Sequence, residues 1–121
     1  MLNLDTHILL FSLSGDLTSR ERALLAADEW SIASITIWEI GKLAQLGRIE
    51  IDLDDGELIR VLSSIHVWPV SIDVVRAILQ LDFHADPADE IISATSIVHG
   101  VPLVTRDAQI RKSKLVPLAH F

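Results

Sequence analysis

The chain has 121 residues, half of them hydrophobic, with no cysteine and with 10 basic against 17 acidic side chains, a formal charge of -7. This length and apolar content suit one compact domain over residues 1–121, and the lack of thiols excludes disulfides and thiolate metal sites. The acidity argues against a broad electrostatic grip on nucleic acid, which normally draws on many Lys and Arg.

Residues 1–5 read as a strand ending on Asp5, without the basic region, apolar core and cleavage site of a signal peptide. A helix follows around residues 7–13. Thr18 and Glu21 have capping-box spacing ahead of a helix to about Asp28. Trp30 to Ala33 predicts a second strand, Ser34 a cap for a helix running to Gly47, and Asp54 with Glu57 a cap for another to about Ser64. His66 to Val70 predicts a third strand, with a helix from about Ser71 to Leu81. Asp86 and Pro87 open a helix that Gly100 ends, proline suiting the first turn and glycine the position past the last. Val101 to Thr105 predicts a fourth strand, followed by a short helix and a final strand near Leu115 to Leu118. Short apolar runs thus alternate with helical patterns, with no repeat or linker, which predicts an α/β domain. The longest apolar runs are far too short to span a bilayer, and a cytoplasmic protein without membrane contact is expected.

Four acidic residues stand out against this framework. Asp5 and Asp107 both follow the carboxyl ends of predicted strands, the edge at which ligand crevices form in parallel α/β sheets. Asp89 lies in the first turn of its helix, where a carboxylate also complements the helix N-terminus, and Asp86 suits the cap itself. Glu39 falls between Ile35, Leu43 and Leu46 on an apolar helical stripe, and its bland alternative is an ion pair with Lys42 one turn on. Carboxylates beside core-forming segments must be paired, protonated or bound to a cation, because desolvating one alone costs several kcal/mol. An all-oxygen ligand set selects a hard divalent ion such as Mg²⁺ or Mn²⁺, and such an ion suits phosphodiester hydrolysis by an activated water. Arg106, Arg111, Lys112 and Lys114 cluster near the C-terminus, either as a solvated helix end or facing a substrate. His7, His66, His84, His99 and His120 are scattered. There is no phosphate-binding glycine loop, nucleophile elbow or His-Glu-x-x-His pair.

Leu-Asp-Thr-His at 4–7, Ser-Ile-Thr-Ile-Trp-Glu-Ile at 34–40, Asp-Pro-Ala-Asp at 86–89 and Pro-Leu-Val-Thr-Arg-Asp at 102–107 together resemble a PIN-domain ribonuclease, specifically a VapC-type toxin of a type II toxin-antitoxin system. The resemblance spans essentially the whole chain. It implies a three-layer α/β/α domain with a central, mostly parallel sheet. It also implies Asp5, Glu39, Asp89 and Asp107 as the catalytic metal ligands, with Thr105 and the less secure Asp86 in support. Glu90 departs from the pattern, which usually has a basic or neutral residue after the second aspartate. RNA as substrate, Mg²⁺ as cofactor, a cognate VapB-type antitoxin and a homodimer are what the resemblance implies, and Arg106 is the candidate for orienting RNA. Two other readings stay open: a noncatalytic module that binds an ion or partner, and a phosphoacceptor domain, which lacks a convincing lysine at the late strand end.

Overall fold

A computed structural model describes residues 1–121. Its elements follow one another as β1 (Leu2–Leu4), α1 (Thr6–Ser14), α2 (Ser19–Ala26), β2 (Trp30–Ala33), α3 (Ser34–Gln45), α4 (Gly56–Ser64), β3 (His66–Trp68), α5 (Ile72–Ile78), α6 (Pro87–His99), β4 (Leu103–Val104) and α7 (Ala108–Arg111). The strands form one sheet in the order β3-β2-β1-β4, and every pairing is parallel. Parallel neighbours require crossovers, and the helices supply them, covering both faces.

Alternation along the short strands divides the core in two. Leu2, Leu4, Ile32 and Val104 pack with Ile8, Leu9, Leu25 and Ile40 on one face. Ala33 and Leu103 pack with Ile92, Ile110 and Val116 on the other. Asn3 points toward this second face and is fully buried, its Nδ2 donating to the Ile92 carbonyl and to Ser96 Oγ on α6. The amide thereby anchors α6, which carries Asp89 at its start, to the central strand.

Several boundaries differ from the sequence expectation. Ser34 is the first residue of α3 rather than its cap, and Ala33 in the cap position offers no side-chain bond. Asp55, not Asp54, caps α4, its Oδ1 accepting from the Glu57 amide. Asp86 occupies the cap position of α6 without a side-chain cap bond. The expected last strand is reduced to a single bridge between Leu103 and Leu118, beside Pro117, which has no amide to extend a ladder. The capping box of Thr18 and Glu21 and the left-handed Gly100 after α6 are as expected. No helix is long and apolar enough to cross a membrane.

Candidate active site

The sheet order reverses direction between β1 and β4, since β1 leads to β2 on one side and meets β4 on the other. A crevice opens at the carboxyl ends of such a pair, with Asp5 directly after β1 and Asp107 three residues after β4. The β1–β4 ladder extends to this edge, where the Asp5 amide donates to the Val104 carbonyl at 3.0 Å. Asp5 is 6% exposed and held through both oxygens: Oδ1 accepts from the Thr6 amide at 2.8 Å and Oδ2 from Thr105 Oγ1 at 2.7 Å. The same Thr105 oxygen accepts from the Asp107 amide at 3.0 Å, so one hydroxyl ties the two strand ends together. Asp107 uses Oδ1 to cap α7 through the Ile110 amide at 2.9 Å. Its capping role is therefore real, but it occupies only one of the two carboxylate oxygens.

Asp5, Asp89 and Asp107 line one cavity of about 290 Å³ with His7, Ile8, Phe11 and Arg106. Glu39 is half-buried on α3, and its Oε1 is buried without a hydrogen-bond partner. Lys42, the alternative partner, donates instead to Gln45 Oε1 at 2.9 Å. Nearby, Thr6 Oγ1 donates to Thr36 Oγ1 at 3.2 Å, fixing the start of α1 against α3.

The electrostatics join these side chains. Burial first, and then the charges of Asp5, Glu39, Asp107 and Asp86, together push the Asp89 carboxyl up to about 7. Burial also raises Asp5, opposed by the Thr105 hydroxyl, the charge of His7 and the Thr6 amide, and assisted by Asp107. No three acidic or histidine side chains converge as a finished ligand cage. What they share is a concentration of negative charge at a low-dielectric edge, together with an unpartnered Glu39 oxygen. An all-oxygen donor set of this kind fits a hard divalent cation.

Arg106 is paired, but with none of these acids. Its Nε donates to Glu21 Oε2 at 2.8 Å and its Nη2 to Glu21 Oε1 at 2.7 Å, holding Glu21 down at about 2. Arg111 of the basic cluster donates from Nη1 to the Thr105 carbonyl at 3.0 Å and so buttresses the turn that carries Asp107. Sequence reasoning missed the buried anchoring by Asn3 and Thr6, read Glu21 only as a capping residue, and read Arg111 as a solvated or substrate-facing cation rather than a buttress of the Thr105 turn. A capping-box glutamate carries no local sign of a partner 85 residues away.

The model of the PIN domain family matches residues 3–114. The chain belongs to the PIN-domain family. Within it, this PIN domain is 34% identical over 97 residues to ribonuclease VapC22 of Mycobacterium tuberculosis (strain ATCC 25618 / H37Rv), a match covering 77% of this chain and 74% of that protein, which marks it as VapC-type. The PIN fold is shared with a toxin-antitoxin complex from Klebsiella pneumoniae, at a TM-score of 0.74 and 21% identity over 99% of this chain and 97% of that one. It is shared equally with VapBC2 from Rickettsia felis bound to a DNA fragment from its promoter, at a TM-score of 0.75 and 18% identity over 100% and 99%.

Proposed function

We propose that this VapC-type PIN domain is the ribonuclease toxin of a type II toxin-antitoxin pair, acting in the cytoplasm on RNA with Mg²⁺ or Mn²⁺. The observation that carries the reading is the cavity that gathers Asp5, Asp89 and Asp107, where burial and the charges of Asp5, Glu39, Asp107 and Asp86 push Asp89 up to about 7. Such an arrangement costs stability unless a cation offsets it. Asp5, Glu39, Asp89 and Asp107 would hold the ion, which when bound supplies Lewis-acid stabilisation of the phosphate and lowers the pKa of an attacking water.

The protein's own contribution is positioning. The Thr6 amide and Thr105 hydroxyl fix both oxygens of Asp5. The Ile110 amide fixes one oxygen of Asp107 and leaves the other for the cavity. Asp89 has no side-chain hydrogen bond to hold its charge, and burial with its acidic neighbours pushes its carboxyl up to about 7. Thr105 acts as the joint between the two strand ends, and Asp86 adds the weakest of the carboxylate fields on Asp89. Arg106 stands on the rim of the cavity as the group to meet an RNA phosphate. Reaction requires no covalent protein nucleophile. The exposed apolar side chains Ile37 and Trp38 on α3 and Ile72, Val75 and Leu79 on α5 and just after it supply surface for a second copy and for a VapB-type antitoxin.

The test is cleavage of RNA by purified protein with chelator, with Mg²⁺ restored and with Mn²⁺, beside folded Asp5→Asn. Mapping the RNA ends produced after brief expression identifies the target. Equal cleavage by wild type and Asp5→Asn would refute the assignment.

A further inference from the structure

The capping box of α2 needs only one Glu21 oxygen, and Oε1 accepts from the Thr18 amide at 2.8 Å. A capping carboxylate normally stays in water. Here the side chain is 1% exposed, and it meets Arg106 in a fork with two parallel N–H···O bonds. Arg106 Nη2 also donates to the Asp16 carbonyl at 3.0 Å, and the guanidinium lies over the Phe11 ring with Cζ 4.1 Å from its centroid. Three neighbours thus fix the plane and the direction of this cation. Its side chain nevertheless remains 40% exposed and forms part of the cavity wall with Asp5, Asp89 and Asp107. Only Nη1 has no protein partner.

An unrestrained arginine at this rim would be drawn onto the nearby carboxylates, because opposite charges attract strongly where water is partly excluded. It would then neutralise the acids that have to hold a cation. Glu21 opposes that outcome by taking Nε and Nη2 into its own fork.

We propose that Glu21 is a positioning residue for RNA: its fork keeps Arg106 off Asp5, Asp89 and Asp107 and leaves the remaining guanidinium edge for a substrate phosphate. This inference rests on the ribonuclease reading above. Its action runs through Arg106, so Glu21 should matter to substrate affinity and only while Arg106 is present.

Steady-state cleavage of a short RNA at saturating Mg²⁺ tests this with wild type, Glu21→Gln, Arg106→Ala and the double variant, each with its thermal unfolding curve. Glu21→Gln should raise KM about tenfold and change kcat less than about twofold, as expected when binding rather than transition-state stabilisation is lost. In the Arg106→Ala background the same substitution should change KM less than about twofold, since the coupled partner is gone. Arg106→Lys should resemble Glu21→Gln, because an ammonium keeps the charge but cannot form the fork, and it replaces Arg106→Ala as the background should the alanine variant fail to fold. An unchanged KM in folded Glu21→Gln, or an equal rise in both backgrounds, overturns the proposal. Wild type that cleaves RNA no better than Asp5→Asn overturns the ribonuclease reading instead.

Discussion

Replacing Asp89 by asparagine should stabilise the cation-free protein at pH 8 and about a third as much at pH 5. The Asp89 carboxyl sits at about 7 in the folded protein, against 3.8 ordinarily. Between those values the folded chain holds a proton that the unfolded chain has released, so unfolding stability falls as pH rises and levels off above about 7. Undiminished, that displacement would correspond to about 4 kcal/mol. Asp89 is only half-buried, and water screens part of the repulsion from its neighbours, which leaves about 1 to 2 kcal/mol. The amide introduced by Asp89→Asn has the same shape and no charge, so the variant should recover that amount at pH 8. For a chain of this size each kcal/mol corresponds to roughly 4 °C in Tm. Thermal unfolding in chelator at the two pH values is the assay, with added Mg²⁺ expected to stabilise wild type more than the variant. A variant equally stabilised at pH 5 and pH 8, or destabilised at pH 8, would refute the electrostatic account of the site.

Glu39→Gln should cut RNA cleavage sharply yet leave cation-free stability unchanged or raised by about 1 kcal/mol, because Oε1 has no hydrogen bond to lose; urea unfolding in chelator measures it, and a large loss of stability would contradict it. Asp86→Asn should slow cleavage only a few-fold, while Asp89→Asn and Asp107→Asn abolish most of it with folding retained, since Asp86 is exposed and its field is the weakest of those on Asp89; initial rates at saturating Mg²⁺ decide the ranking. Arg106→Ala should destabilise the protein by about 2 kcal/mol at pH 7, less than for a fully buried pair because the guanidinium is partly solvated. Glu21 is held at about 2, below its ordinary 4.5, so its stabilisation is complete above 4.5 and lost as pH falls through 2; the difference between wild type and Arg106→Ala should therefore shrink on acidification toward pH 2, as read by chemical denaturation.

Local signals located most of the framework. The Thr18–Glu21 spacing marked the α2 start and Pro87 with Gly100 marked α6, because caps depend on residues within one turn. Where two neighbouring residues could serve, as with Asp54 and Asp55, local chemistry did not decide between them. The last strand failed because β pairing depends on a distant partner, and Leu118 finds only Leu103. Among the site residues, Asp5, Asp89 and Asp107 do share a cavity, and strand-end and helix-start positions were enough to suggest it. The apolar stripe that carries Glu39 is not fully buried, since Leu46 is exposed, but Glu39 Oε1 is itself buried without a hydrogen-bond partner, which the stripe alone did not reveal. The pairing of Arg106 with Glu21 was invisible because it is a tertiary contact between residues that each have a sufficient local role.

Thr105 reaches Asp5 across a separation of 100 residues, and β4 is the last strand of the sheet in chain order. A growing chain therefore carries Asp5 and Glu39 long before it can assemble a site around them. Bringing β4 beside β1 closes nearly the entire chain into a loop, an entropic step that is taken only once the β1–β4 ladder and the core around Leu103 and Val104 can offset it. A fragment interrupted anywhere before that strand has loosely held carboxylates and no hydroxyl to lock Asp5. The hazard of an RNA-cutting protein is thus confined in time: synthesis through β4 and Thr105 precedes the first moment at which it can act.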